Sequence, residues 1–310
     1  MKNKIGAFYR NSVTGYYLIR PIFLIYELFL KAIPDEMHIK FKFKRHMGYS
    51  INLKNPQTFN EKINWLKLYD RTPLHTTAAD KFKVREYIAN KIGKVYLIPL
   101  LYNTKNAKNI VPENLPDFPI IIKTNHNSSG GIIVKNKNDI NWKRAQFDLK
   151  KNFRENYFYS SREWQYKYIE PRIVVEKLLT DKNGAIPYDY KLHCFNGKLV
   201  FTQVDLDRQT NHTRNLYDVD WNVIPCKWTY DNGKQIEKPI TYEKMKNLAE
   251  IIAEDFIYVR VDFYVIEKNL FFGELTFHSE SGLGQFLPKS YDAYFGNLLK
   301  LPVQEFSSSI

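Results

Sequence analysis

Two strand–turn–strand patterns in the second half of the chain limit its fold more than any other feature. Asp189 to Cys194 and Lys198 to Val204 flank Phe195-Asn196-Gly197, and Asn-Gly supplies the left-handed backbone that a tight hairpin needs. Val259 to Ile266 and Leu270 to Glu274 repeat the arrangement across Glu267-Lys268-Asn269. Hairpins pair their strands antiparallel, so a doubly wound parallel sheet is disfavoured. Neither GxGxxG nor a Walker A pattern occurs.

The remaining elements make the class α+β. Thr58 to Tyr69 reads as a helix capped by Thr58 or Asn60, with Glu61 in its first turn. Asp80 to Ile92 reads as another, closed by Gly93. Val95 to Leu101 has strand character with a proline near its end. Phe118 to Lys123 and Gly130 to Val134 are short β-branched strands, and Ile173 to Leu179 is a third, followed by a turn at 181–184. Helices are expected over Trp142 to Asn152 and Thr241 to Asp255, the latter with Met245, Leu248, Ala249 and Ile252 on one face. No internal repeat, low-complexity tract or flexible linker breaks the chain.

Charge and cysteine content narrow the setting. The 46 Lys and Arg against 33 Asp and Glu leave a formal +13, which attracts polyanions without choosing among them. No long basic run supports a nucleic-acid arm. Cys194 and Cys226 stand far apart, as expected of small buried side chains in a reducing cytosol. The greasy stretch Tyr16 to Ile33 is interrupted by Arg20, Pro21 and Glu27, and lacks a small-residue cleavage site. If helical, it sets Arg20, Glu27 and Lys31 on one narrow face. It suits either a helix packed on the domain or an interfacial anchor flanked by Lys40, Lys42, Lys44 and Arg45, with peripheral membrane contact through residues 16–45.

Three features carry chemistry. Lys123 leads a polar turn, Lys-Thr-Asn-His-Asn-Ser-Ser-Gly-Gly131, between two apolar strands. Its small residues suit either a slack surface hairpin or a cradle of amides around phosphate, with the lysine as point charge. In the last hairpin Arg260 and Asp262 share a face, and the short connection lets Glu274 approach Asp262. Two carboxylates on adjacent strands need a cation between them, for which Mg²⁺ is a hard-oxygen candidate; an exposed ion pair with Arg260 is the plainer reading. Glu176 and Lys177 interrupt a strongly apolar strand, and Asp189 and Lys191 face one way on the next, where cross-strand salt bridges would also account for them.

Taken in order, these pieces resemble the ATP-grasp superfamily, and in particular its TupA-like branch associated with bacterial surface polysaccharides. The resemblance runs from about Gly48 to Pro288 through five stretches: 59–71, 79–87, 121–131, 162–179 and 259–283. It implies two α+β subdomains clasping ATP behind a helical extension. The expected divisions are 1–70 (extension), 71–120 (N-terminal α/β subdomain), 121–179 (lid) and 180–310 (C-terminal subdomain with a metal site). Lys81 and Lys123 look like the phosphate-holding lysines, and Ser128, Ser129, Gly130 and Gly131 like the flap above them. Glu176, Lys177, Leu178 and Leu179 resemble the adenine and ribose segment, with Leu178 offering backbone contacts. Asp189 and Lys191 resemble an acid–base pair near the γ-phosphate. Asp262, Glu274 and Thr276 match the Mg²⁺ ligands, and Arg260 the arginine that steadies the acyl phosphate. A threonine replaces the usual asparagine at 276, so Glu280 or His278 is a substitute ligand.

The implied activity is ATP-dependent joining of a carboxylate to an amine through an acyl phosphate, on a cytoplasmic enzyme at the inner face of the membrane. The expected substrates are a uronic acid of an anionic glycan and a small amine. Two other readings use different residues. Asp205-Leu-Asp207 and Asp218-Val-Asp220 are DxD patterns of a metal-dependent glycosyltransferase, and the +13 charge alone fits a non-catalytic polyanion-binding module. Arg208 and Arg214 either meet an anionic acceptor or are solvated loop charges, and Arg162 to Tyr168 could stack on sugar.

Overall fold

The computed structural model of the chain describes residues 6, 8–9, 12–128, 130–208 and 210–302, so Ser129 of the expected flap lies outside the described residues. Among these residues the strands form three sheets, with antiparallel ladders throughout. The first holds β1 (Leu100–Thr104), β2 (Ile120–Thr124), β3 (Ile132–Val134) and β4 (Ile173–Lys177), in the order β1-β4-β2-β3. The second holds β5 (Asp189–Phe195), β6 (Lys198–Leu206), β7 (Thr213–Tyr217), β9 (Tyr258–Ile266) and β10 (Asn269–Thr276), in the order β10-β9-β5-β6-β7. A two-stranded ribbon pairs β8 (Lys227–Trp228) with β11 (Phe286–Leu287).

Both hairpins form where the sequence puts them. Gly197 takes φ +82 beside Asn196 at +49, and Phe195 pairs with Lys198. The second sheet is covered on both faces, which is why β5 is buried along its whole length instead of alternating. Helix α8 (Tyr242–Ala253) covers one face with Met245, Leu248, Ala249 and Ile252, the stripe its periodicity predicts. Burying one such aliphatic side chain stabilises the fold by roughly 2 kcal/mol. On the other face, α3 (Phe59–Tyr69) sends Phe59 against Phe195 and Tyr258, and α9 (Ser290–Leu298) sends Phe295 against Phe201. A capping box starts α3: the Thr58 hydroxyl accepts from the Glu61 amide, and the Glu61 carboxylate accepts from the Thr58 amide.

The N-terminal half departs from expectation in two places. The strand expected at Val95 to Leu101 lies later: Lys94–Tyr96 is a 3₁₀ turn and β1 begins after Pro99, which has no N–H to give a ladder. The helix expected from Asp80 to Ile92 starts four residues later, as α5 (Val84–Lys91), behind a break from a separate helix that was not expected, α4 (Pro73–Ala79). Asp80 causes the break, because its carboxylate accepts from the Phe82 and Lys83 amides and holds a turn there. Gly93 ends α5 with φ +109, as read. The first sheet packs its inner face on α6 (Trp142–Asn152) through Leu149, and α7 (Tyr157–Ser161) follows. Ahead of all these run α1 (Val13–Ala32), with Pro21 inside it, and α2 (Asp35–Met47). Arg20 and Glu27 share a face of α1 closely enough to bond at 2.8 Å.

Both cysteines are buried and free, and burial pushes their thiols up, Cys226 to about 12. They are packing residues and not nucleophiles.

Candidate active site

On the first sheet, β2 carries Lys123 and β4 carries Glu176. The Lys123 ammonium donates to Glu176 Oε2 at 3.0 Å, and Arg85 of α5 donates to the other oxygen at 3.1 Å. A carboxylate in an apolar strand is therefore satisfied by two cations, and it fixes where the lysine points. The polar turn that follows is not slack. The Thr124 hydroxyl donates to Asn127 Oδ1 at 2.9 Å, and the Asn125 side-chain amide donates to Asp80 at 2.8 Å. Lys81 donates to the Asn127 carbonyl at 2.6 Å. Thr124 to Asn127 are buried by these bonds, while Ser128 and Gly130 at the tip are exposed. Gly131 lets the chain return tightly, since a Cβ there would stand 2.9 Å from the Lys123 side chain and from the Ile122 carbonyl. The result is a rigid stem with an open small-residue tip, the form a phosphate cradle needs.

The segment after Glu176 is partly committed to the fold. The Leu178 amide donates to the Pro119 carbonyl at 3.0 Å and the Lys177 amide to the Pro99 carbonyl at 3.1 Å. Of the backbone contacts expected of Leu178, the carbonyl is thus the one left for a ligand. Lys177 is exposed and Leu179 half-buried.

On the second sheet the acids are brought together by a β-bulge. Ile266 pairs with Asn269 and Phe263 with Phe272, yet Val261 pairs with Leu275. Gly273 and Glu274 therefore both stand opposite Asp262. A strict ladder from the turn would set Glu274 opposite Val261, on the side packed by α8. The extra residue turns it to the face of Asp262, with Thr276 two residues on, opposite Arg260. Gly273 suits this position, because a Cβ would crowd the Asp262 carbonyl at 3.2 Å and the Tyr264 ring at 3.1 Å.

Arg260 lies between the two acids. It donates to both oxygens of Asp262 at 2.7 Å and to Glu274 at 3.1 Å. The sequence reading put a metal ion between these carboxylates; in this state the guanidinium occupies that position. Lys191 of β5 is buried against Asp189, with Asp205 at 3.7 Å and Asp262 at 3.9 Å. Burial, with Asp189 as a like-charged neighbour, raises the Asp262 carboxyl above its ordinary range, while Arg260 and Lys191 pull against it. This is a carboxylate still short of positive charge.

Asp205 is the opposite case. Burial works to raise it, but Arg214 at 2.6 Å and Lys191 hold it well below the usual carboxylate range. Arg214 is accordingly a buried β7 residue, reaching Glu280 at 2.8 Å as well, and not a solvated loop charge. Arg208 is exposed and reaches Asp189 at 3.4 Å. The unfolded carboxyl titrates near 4, so the folded chain holds fewer protons at Asp205. Its stabilisation is full above about pH 4 and fades as pH falls. Asp205→Asn is expected to cost about 3 kcal/mol near neutrality, a deficit that shrinks below about pH 4; urea melts across that range check it, and a constant deficit would contradict the linkage.

Neither DxD pattern forms a metal site. Asp205 is taken by Arg214 while Asp207 is exposed, and Asp218 accepts from the Asp220 and Asn222 amides in a turn. The substitutes suggested for Thr276 are also occupied elsewhere. Glu280 is on Arg214, and His278 is buried, its imidazole pushed far down by desolvation and by Lys67, His75 and Arg71 nearby.

The two sheets present their charges to each other. Burial lowers Lys81, opposed by attraction from Glu274. Burial raises Glu274, but Lys81, Arg260, Lys191 and Lys123 together outweigh it and hold the carboxyl down. The Glu274 side chain is 44% exposed, so solvent screens part of this attraction. Lys81 and Lys123 of the first half are thus near enough for their charge to act on Glu274 of the second. Among the described residues no group of three or more His, Cys, Asp or Glu is placed to hold a metal ion. Mg²⁺ rarely asks for that many, since it usually takes one or two carboxylates and completes its shell with phosphate and water. Asp262 and Glu274 fit that demand.

Sequence reasoning missed Arg85 and Arg214 as the cations that fix Glu176 and Asp205. Arg85 is 91 residues from Glu176, so no local spacing announces that contact. Arg214 is nine residues from Asp205 and lies directly opposite it on the neighbouring strand, a pairing that needed the β6–β7 register to be seen.

Among solved structures, the chain is similar to D-alanine–D-alanine ligase from Bacillus anthracis at 16% identity, covering 64% of this chain and 56% of that one with TM-score 0.36. The corresponding ligase from Helicobacter pylori gives 14% identity, 71% and 59% coverage, and TM-score 0.39. L-amino acid ligase from Bacillus licheniformis gives 11%, 72%, 50% and 0.42. The chain spans between half and three-fifths of the length of these ligases. No curated protein matches its sequence. The profile described as TupA-like ATP-grasp matches residues 61–300, most of the chain and every residue of the charged cluster. The chain is a member of the TupA-like ATP-grasp family.

Proposed function

We propose that the protein is an ATP-dependent carboxylate–amine ligase, joining an amino acid or amino alcohol to a uronic acid of a bacterial surface polysaccharide. The observation that supports the reading is that Lys81 and Lys123 of the first half lower the Glu274 carboxyl, which Arg260 of the second half bonds at 3.1 Å. A carboxylate approaching a triphosphate brings like charges together, so the site must supply positive charge before the reaction begins. Lys81 and Lys123 bind and orient the phosphates, and the tip around Ser128 and Gly130 closes over them to exclude water. Asp262 and Glu274 would hold Mg²⁺, which when bound neutralises phosphate charge. Arg260, released from those acids, turns its guanidinium to the acceptor carboxylate.

The carboxylate oxygen bonds to the γ-phosphorus as ADP leaves, and the amine nitrogen then displaces phosphate from the acyl carbon. The products are amide, ADP and phosphate. The uronic acid follows from the branch this family represents, and the +13 charge suits an anionic glycan. The test is ADP release in a screen of uronic acids against amines. Release that needs both substrates supports the ligase. A nucleoside diphosphate released from a sugar nucleotide, without ATP, would establish a glycosyltransferase instead.

A further inference from the structure

Helix α1 is turned inside out for a water-facing element. Its ion pair, Arg20 with Glu27, lies toward the body, and the Arg20 side chain is 13% exposed. Its apolar residues point away: Leu18 and Ile22 are 67% exposed and Ile25 69%, with Leu28 and Phe29 close behind. A helix in water buries its apolar stripe and shows its charges, so this orientation calls for an apolar medium outside. The helix is not free to pass through such a medium. Tyr16 packs on Phe147 near one end, and at the other Arg162 donates to the Leu30 carbonyl at 2.6 Å and the Ile33 carbonyl at 2.9 Å. A segment fastened along one side to a water-soluble body lies on a bilayer; it does not span it.

Charge identifies the occupant. Helix α2 continues the exposed face with Met37 and Phe41 one turn apart, and the exposed Lys40, Lys44 and Arg45 stand beside them. A second copy of the chain would bring the same cations against themselves, whereas an anionic headgroup layer neutralises them. We propose that α1 and the outer face of α2 seat the protein on an anionic lipid surface, with α1 lying in the interface plane. A cavity of about 490 Å³ walled by Phe23, Tyr26 and Leu30 of α1 is shared with Asn127 and Ser128, so the seated face adjoins the lysine-led turn.

Vesicle flotation with the full chain tests this independently of any catalytic activity. The protein should float with vesicles of equal parts phosphatidylcholine and phosphatidylglycerol, stay in solution with phosphatidylcholine alone, and be stripped by alkaline wash. Lys44→Ala with Arg45→Ala should weaken partition roughly thirtyfold, about fivefold for each charge. Leu18→Glu with Ile22→Glu and Ile25→Glu should abolish it while the melting temperature holds, because those side chains contact solvent. If that variant fails to fold, Ile25→Trp replaces it, and brominated lipid should quench the new tryptophan. No flotation, equal flotation with neutral vesicles, retention through alkaline wash, or lipid-free dimers that these substitutions dissolve would each overturn the proposal.

Discussion

Replacing Lys123 with alanine is expected to lower substrate-dependent ADP release about a hundred- to a thousandfold, the usual cost of removing one preorganised charge donor from a transition state. The lysine stands on the strand that leads into the turn, and Glu176 holds its ammonium at 3.0 Å. The fold should survive, because Glu176 keeps its second partner, Arg85, and is not left as an unpaired buried charge. Single-turnover ADP formation with circular dichroism on the same sample checks both halves. Unchanged turnover in a folded Lys123→Ala protein would remove the lysine from the site.

The second large effect is expected of Asp262→Asn, through the opposite balance of activity and stability from Asp205→Asn. Asp205 is surrounded by more positive charge than it needs, and its loss weakens the folded state. Asp262 is raised by burial and crowded by Asp189, so its folded form binds a proton more tightly than the unfolded chain does. The sign then reverses: its charge costs stability as pH climbs above the unfolded value, while the buried Arg260 depends on that same charge. The two effects oppose each other, and the melting temperature at neutral pH should change little. Arg260 keeps Glu274 as a partner. Turnover should nevertheless fall by about a hundredfold or more, with a higher Mg²⁺ concentration needed for what remains, because one of two carboxylates for the ion is gone. Melting curves and a Mg²⁺ titration of ADP release separate the effects. A variant that loses stability but keeps turnover and its Mg²⁺ requirement would make Asp262 structural.

Much of this layout is legible in the residues. The two hairpins and the α8 stripe are local patterns whose signals lie within a few positions of each other, and each forms; of the two caps offered for α3, Thr58 is the one used, in a capping box with Glu61. The misplaced strand near Pro99 and the helix that begins at Val84 instead of Asp80 are boundary errors, one from a missing amide and one from a side chain that competes for backbone donors. What was not legible depends on tertiary contact and register. Glu176 looks like an interruption of an apolar strand until Arg85 arrives from 91 residues away, and Asp205 looks like half of a DxD pattern until the β6–β7 register sets Arg214 opposite it. The approach of Glu274 to Asp262 was read from a short turn, yet a short turn with a regular ladder would have pointed Glu274 the other way. An isolated glycine inside a strand was the one clue to the bulge.

That bulge has a bearing on what variation the site tolerates. Were the chain shorter by Gly273 alone, Glu274 would face Asp262 squarely at a Cβ separation of about 5 Å, with like charges directly opposed. The glycine therefore acts as a shim in the sheet: it shares the place across from Asp262 and sets the glutamate one step along, where a single guanidinium bonds both acids.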